Sequence, residues 1–386
     1  MSKSKINVAL IGCGFMGRAH SNGLNKVRSF FDLPVEPVNK VLCCRNPENG
    51  TRLADRFGWS EWVPNWQDVV NRADVDVVDI ATPVFTHAEI TLAALAAGKA
   101  VICEKPLATN LAEALSLAEA AEKKSLLNMC MFNLRTIPAI TLAHELIQEG
   151  AIGTINQWRG AFLQGHLVDP NFPLVWRLRK EAAGSGAQGD IGSHSIDAAL
   201  FLAGKIASVF GMLHTFIKER WLPVRDLGRD SIPSAQKGEV TVDDAVWSLL
   251  RFENGARGSM EATRMATGRL VSNQFEIYGS QGGLAFNFNH MNELEFFSLT
   301  DPARTRGWRT IHTTQPVHPY MKAWWPAGHP LGYEHTFVHA FANFFTDLGE
   351  GKPVQPDFRE AARVQAVMEA IEKSNQVQTW VDVQNI

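Results

Sequence analysis

Residues 6–17, Ile6-Asn7-Val8-Ala9-Leu10-Ile11-Gly12-Cys13-Gly14-Phe15-Met16-Gly17, decide the fold. A short apolar run ends in G-x-G-x-x-G, and a helical pattern starts from about Met16. In that context the motif predicts a strand, a tight turn and a helix that binds a dinucleotide. Gly12 permits the turn, Gly14 lets the backbone approach a pyrophosphate, and Gly17 allows helix and strand to pack closely. The first turn of the helix, with Phe15 and Met16, offers free N–H groups and a positive dipole end to phosphates. A plain strand–helix turn is the weaker alternative.

Working outward, further strand-like runs are expected at residues 38–44, 75–80, 100–103 and 126–131, with Ala-rich helical stretches at 87–97 and 111–123. Near-continuous apolar strands separated by helices imply a parallel sheet covered on both faces. Residues 1–132 are therefore expected to form a Rossmann NAD(P)-binding domain. The texture changes after about residue 133. A helix at 138–149 and a helix at about 190–202 precede strand-like runs at 240–252, 257–263, 274–278, 283–288 and 293–298. Asn254-Gly255 is a hairpin signal. Closing helices are expected at 331–348 and 358–374, and 220–238 reads as an inserted loop. The fold class is thus α/β: a Rossmann domain, then an α+β domain (133–386) with a large, mostly antiparallel sheet.

Composition sets limits. With 37 basic and 40 acidic residues among 386, the chain carries a net charge of −3 and lacks the basic excess that phosphate neutralisation demands, so nucleic acid is an unfavoured partner. No apolar run reaches membrane-span length. The start lacks the apolar core and cleavage site of a signal peptide, so a cytoplasmic protein is expected. Five cysteines without a CxxC pair read as small buried thiols in a reduced compartment, not as a metal site. Eleven tryptophans against three tyrosines is the unusual figure; tryptophan can stack on sugar rings, although core packing is the stronger expectation.

The second strand ends Cys43-Cys44-Arg45, with no carboxylate before Glu48. NAD sites usually carry an acid there, whereas an arginine can grip a 2′-phosphate. NADP is therefore favoured over NAD, with Arg45 as reader; stacking of Arg45 on adenine is the alternative. Glu104-Lys105-Pro106 follows a parallel strand, where ligands of such sheets sit. Asp190, His194 and Asp197 are spaced i, i+4, i+7, one face of a helix. Histidine, with an ordinary pKa of about 6.5, suits a general base near neutrality. A carboxylate can orient it, and Lys105 can donate to an alcohol oxygen. A metal reading of the same three residues ranks well below. His20, His144, His214 and His312 are read as exposed or hydrogen-bonded, not catalytic.

The glycine loop, Ala81-Thr82-Pro83, Glu104-Lys105-Pro106 and Asp190/His194/Asp197, in this order and spacing, resemble the Gfo/Idh/MocA oxidoreductases, the glucose–fructose oxidoreductase and inositol dehydrogenase family. The likeness spans essentially the whole chain. It implies Lys105, Asp190 and His194 as catalytic residues that also touch substrate, His194 being the proton acceptor. It implies Ala81, Thr82, Pro83, His87 and Glu104 on the nicotinamide side. Asn133 and Arg135, and Trp176 with Arg177, match recurrent positions near cofactor or substrate. Gln164 and Tyr333 complete the expected substrate contacts. Segments 12–20, 163–169, 176–197 and 261–264 look most like the branch of levoglucosan-dehydrogenase-like sugar 3-dehydrogenases, which oxidise a pyranose ring hydroxyl to a keto sugar. Such enzymes tend to carry an acid where Cys44-Arg45 stands here. The stretch 319–325, with Trp324 and Trp325, is either a substrate rim or packing. The family also implies a C-terminal domain for substrate binding and oligomerisation, with an open sheet through which a homodimer or homotetramer forms.

Two classes of function follow. One is an NAD(P)-dependent dehydrogenase of a cyclic polyol, a pyranose or an inositol. The other is a non-catalytic dinucleotide sensor on the same fold, against which the joint presence of Lys105, Asp190 and His194 argues. A relative that cleaves glycosides by oxidation, elimination and reduction would share the first step. The dehydrogenase reading requires the Lys105 ammonium and the His194 imidazole to act beside one nicotinamide ring.

Overall fold

The computed structural model describes residues 3–226, 228 and 231–386. Met1 and Ser2, part of the chain start read above, lie outside the described residues, as do Leu227, Arg229 and Asp230 of the expected loop. In chain order the elements begin β1 (Ser4–Ile11), α1 (Phe15–Phe30), β2 (Val35–Cys43), α2 (Pro47–Phe57), β3 (Glu61–Val63), α3 (Gln67–Val70), β4 (Val77–Ile80), α4 (His87–Ala96), β5 (Ala100–Cys103), α5 (Leu111–Lys123) and β6 (Asn128–Cys130). They continue α6 (Pro138–Gln148), β7 (Ile155–Leu163), α7 (Lys180–Ala183), α8 (Ser193–Ala203), β8 (Ile206–His214), β9 (Glu219–Pro223), β10 (Pro233–Glu239), β11 (Ala245–Phe252) and β12 (Arg257–Thr263). The chain closes with β13 (Ser272–Gly279), β14 (Gly282–Asn287), β15 (Glu293–Ser298), β16 (Arg309–His312), α9 (Glu334–Glu350), α10 (Phe358–Val377) and β17 (Val381–Asp382).

Two compact units result. The first comprises Met1–Ile137, Ala323–Trp325 and Leu331–Ala362; the second comprises Pro138–Lys322, Pro326–Pro330 and Arg363–Ile386. This differs from a single cut after residue 132, because residues 331–362 return to the first unit. The reason is apolar. Phe337, Phe341, Phe344 and Phe345 of α9 are completely buried in one core with Val8, Leu10, Leu24 and Val27. A Cβ at Gly23 of α1 would stand 2.9 Å from the Phe341 ring, so glycine is what lets α1 and α9 approach.

The first unit's sheet is six-stranded and parallel, in the order β3-β2-β1-β4-β5-β6. Strand β3, three residues long, was not anticipated. β1 lies between β2 and β4, so the order reverses beside it and the crevice for a ligand opens at its carboxyl end. Register pairs Ile11 with Cys43. Two residues beyond Ile11 and one beyond Cys43, Cys13 and Cys44 come within a Cα separation of 5.5 Å and form a disulfide. The expectation of uniformly reduced thiols is corrected there, while Cys43, Cys103 and Cys130 are buried and form no disulfide.

The second unit is built on a nine-stranded sheet, β16-β15-β14-β13-β7-β12-β11-β8-β17. Only β7 and β12 run parallel; the other neighbours are antiparallel. Central β7 was missed by the sequence reading, because Asn156, Gln157, Arg159 and Gly160 interrupt its apolar pattern. The Asn254-Gly255 turn does join two strands, β11 and β12, with Gly255 at φ 93°. Residues 220–238 are not simply a loop: β9 and β10 form a two-stranded antiparallel ribbon. Fully buried Arg220 ties this ribbon down, its guanidinium donating to the carbonyls of Leu167 at 2.6 Å and Asp169 at 2.8 Å. The sheet also carries a groove of about 700 Å³ whose lining includes Trp247, Leu249, Met212 and Glu261 but none of the expected site residues. Among the described residues, no helix is long and apolar enough to cross a membrane.

Candidate functional site

In the first unit, the glycine loop is shaped for close approach. Gly12 has φ 121°, and a Cβ there would lie 2.4 Å from the Ala81 carbonyl oxygen; one at Gly17 would lie 2.1 Å from the Gly12 oxygen. Gly14 has open space on its Cβ side and stands at the N-cap of α1 with no side chain capping the helix. The first-turn N–H groups are therefore left to a ligand. Exposed Phe15 and half-buried Met16 flank that start. These residues fit a dinucleotide pyrophosphate. Arg45 is exposed just beyond β2, and Asn46 after it caps α2 by accepting from the Asn49 N–H at 2.9 Å.

Two loops flank the same crevice. Ala81-Thr82-Pro83 leaves β4, and Glu104-Lys105-Pro106 leaves β5. His87 is buried between them, one ring nitrogen 3.0 Å from the Thr82 oxygen and the other 3.1 Å from the Pro106 oxygen. It joins the two loops and does not offer a nitrogen to a ligand. Burial lowers its pKa, against the opposing pull of those carbonyls. Lys105 is half-buried on its turn.

Below the Lys105 turn lies a cluster that sequence reasoning passed over. The His20 Nδ1–H donates to both oxygens of Asp79 at 2.9 Å, and Nε2–H donates to Glu104 Oε1 at 2.9 Å. His20 and Asp79 are completely buried. Burial alone would lower the histidine pKa, but the charge and hydrogen bonds of Asp79, then of Glu104, raise it to about 10. A signal was present: Asp79 interrupts the apolar run Val77-Val78-Asp79-Ile80, and a buried carboxylate requires a partner.

Asn133 is buried and donates from Nδ2 to Thr336 Oγ1 at 2.7 Å; Arg135 pairs with Glu360 at 2.5 Å. Both side chains thus brace the first unit. Tyr333, partly exposed, precedes α9 and sets its ring 5.3 Å from Phe337. Trp324 packs between Phe30 and His335, and its Nε1–H donates to His339 Nε2 at 2.7 Å. For Trp324, packing is what is found; Trp325 is half-exposed against Phe30.

In the second unit, residues Gln188–Gly192 form a single π-turn that runs into α8. Asp190 therefore sits in a wider turn, not in a regular helix from 190, while His194 and Asp197 lie buried on α8. Such turns recur where a helix presents functional groups. Asp243 holds the turn's entrance, accepting the N–H groups of Gly186 at 2.7 Å and Gln188 at 2.8 Å. Fully buried Arg264 donates to the Asp243 carbonyl at 3.0 Å and lies 3.6 Å from Asp190 Oδ2. Asp243 and Arg264 were not singled out as site residues, although adjacent acids before an apolar strand were visible. Burial pushes the Asp243 carboxyl up, and Arg264 opposes it. The His194 ring lies 6.0 Å from Phe162. Gln164 follows β7, its N–H on the Thr263 carbonyl at 2.8 Å. Trp176 and Arg177 form a short 3-10 turn, the guanidinium 4.2 Å above the indole. Among the described residues, no group of three His, Cys, Asp or Glu side chains is arranged to hold a metal ion.

Comparison with known proteins agrees with both units. Residues 6–132 match the model of an oxidoreductase family with an NAD-binding Rossmann fold, and residues 140–285 match the GFO/IDH/MocA C-terminal domain. Levoglucosan dehydrogenase of Pseudarthrobacter phenanthrenivorans is 43% identical over 99% of this chain and 99% of its own length. A solved levoglucosan dehydrogenase complexed with NADH and levoglucosan superposes with a TM-score of 0.93 at 43% identity, covering 99% of this chain and 100% of that one. An oxidoreductase domain protein from Kribbella flavida gives 0.94 at 45% identity, with 99% and 100% covered.

Proposed function

The chain belongs to the GFO/IDH/MocA oxidoreductase family, and from that premise we propose that it is an NAD(P)-dependent dehydrogenase oxidising a ring secondary hydroxyl of levoglucosan or a glucoside-like pyranose to a keto sugar. The observation that carries the proposal is the uncapped start of α1 behind Gly14, with Gly12 pressed against Ala81. The likeness to a levoglucosan dehydrogenase over the whole chain supports the substrate class. When bound, the nicotinamide supplies the hydride acceptor. His194 takes the hydroxyl proton, Lys105 donates to the carbinol oxygen as negative charge develops, and Asp190 orients the imidazole and balances its charge. Gly12, Gly14, Phe15, Met16 and Gly17 would hold the pyrophosphate, and Ala81, Thr82 and Pro83 would serve the nicotinamide end. Gln164, Trp176, Arg177 and Tyr333 complete the ligand contacts.

Exposed Arg45, with no acid at the end of β2 before Glu48 in the sequence, supports acceptance of a 2′-phosphate, so NADP is expected to bind at least as tightly as NAD. A homodimer or homotetramer through the second unit's sheet is proposed from half-exposed Met212 and Leu249 in its groove; light scattering on Leu249→Asp tests it. A cytoplasmic location is proposed, as expected from the sequence, and cell fractionation tests it.

Reduction of NAD or NADP followed at 340 nm, with levoglucosan, glucosides and inositols as donors, tests the main reading. Turnover confined to pyranoses is expected. His194→Ala should lose about 10²–10⁴-fold in turnover with dinucleotide affinity kept. Tight dinucleotide binding without reduction by any polyol would overturn the reading.

A further inference from the structure

We infer that His20 is a positioning residue for Lys105, acting through Glu104. The inference rests on the role proposed for Lys105. The geometry is a chain of contacts within the first unit. His20 Nε2–H donates to Glu104 Oε1, and Glu104 Oε2 accepts the backbone N–H of Lys105 at 3.0 Å. The Glu104 N–H in turn donates to the Ile80 carbonyl at 2.9 Å, beside Asp79 on β4. A single imidazole therefore locks the ends of two adjacent strands and fixes the backbone from which the lysine projects.

The groups facing His20 are Asp79 of β4, Glu104 beyond β5, and the Phe337 and Phe341 rings of α9 at 5.5 and 5.6 Å. The buried Cys103 thiol lies between the two carboxylates in sequence, and burial pushes its pKa up. The aromatic rings exclude water, so the hydrogen bonds from His20 are not exchanged for solvent. Each ring nitrogen of His20 faces a carboxylate, which calls for the imidazolium. His87 holds the far side of the same turn at the Pro106 carbonyl. The residues before and after Lys105 are thus each held by a buried histidine. A displacement near 1 Å at a reacting group can cost on the order of 10²-fold in rate.

The test compares His20→Gln with the double variant His20→Gln/Asp79→Asn. In the single variant, turnover should fall about 10–100-fold, with the sugar KM and dinucleotide Kd within about threefold. The double variant removes the uncompensated buried charge, so its melting temperature should recover while turnover stays low. Recovery of both would show simple charge compensation and overturn the inference. A second readout needs no turnover: the rate at which trinitrobenzenesulfonate labels Lys105, followed by peptide mass spectrometry, should change severalfold in both variants. Labelling and turnover unchanged in the folded variants would overturn the inference. Inactivity of the wild-type enzyme toward every polyol would instead strike the proposed function, leaving the labelling rate to decide the role of His20. If the single variant does not fold, the double variant carries the measurement.

Discussion

The two units treat buried charge differently. In the first, Asp79 has no solvent access and is neutralised by His20, itself fully enclosed. In the second, the Asp190 side chain keeps 26% of its accessible surface, while the arginine opposite it, Arg264, has none. The first arrangement fixes a framework. The second leaves the Asp190 carboxylate able to meet solvent or ligand, on a turn whose entrance Asp243 fixes by accepting the N–H groups of Gly186 and Gln188. Rigidity and availability are thus assigned to separate carboxylates, and a substitution should reveal which is which.

The largest expected contrast is between Asp79→Ala and Asp190→Ala. Removing one partner of a buried pair costs about 3–5 kcal/mol, so Asp79→Ala should show a large fall in denaturant midpoint. Asp190→Ala should cost less than half as much stability while removing most turnover. Equal destabilisation would erase the distinction between the units. Next comes pH. Burial, against a hydrogen bond to the Thr136 carbonyl, holds the His339 pKa down to about 3. Its native pKa is below the unfolded value of about 6.5, so its contribution is present above 6.5 and lost as pH falls toward 3. His20, raised to about 10, has the opposite sign: its contribution is full below about 6.5 and lost as pH rises through 10. Melting curves from pH 4 to 10 should therefore fall on both sides, on the order of a few kcal/mol each. His339→Gln should flatten the acid limb alone.

A smaller effect is expected from the Cys13–Cys44 disulfide, which spans 31 residues. Chain-entropy arguments put such a crosslink at about 3–4 kcal/mol at most. Dithiothreitol should lower the first unit's melting temperature, and Cys44→Ser should remove that response. Smallest is Arg45→Asp, which should shift preference from NADP toward NAD by about tenfold, roughly 1.4 kcal/mol. An unchanged ratio of dissociation constants would show that Arg45 does not read the 2′ group.

The first unit was the more legible because its signals are local. Apolar strands such as Val8–Ile11 and the glycines behind them combine period and turn chemistry in one stretch. Asp190, His194 and Lys105 were singled out for the same reason: unusual polar residues at strand ends or helix starts. What escaped is long-range. The His20–Asp79–Glu104 contacts bridge separations of 59 and 84 residues, and no periodicity reports them. The pairing of Cys13 with Cys44 needed the register of two parallel strands. Strand β7 escaped because it is central in the sheet yet polar at three of its nine positions.

The late return of residues 331–362 to the first unit bears on how the molecule is made. A ribosome finishes the glycine-loop region early, but Phe337 and Phe341, which seal the surface over His20 and α1, emerge only after most of the second unit has been made. Until then the nascent nucleotide-binding half exposes an apolar face and an unshielded ion cluster. An expression fragment ending near residue 137 would inherit that defect permanently, whereas a fusion of 1–137 to 331–362 through a flexible tether would supply the missing cover.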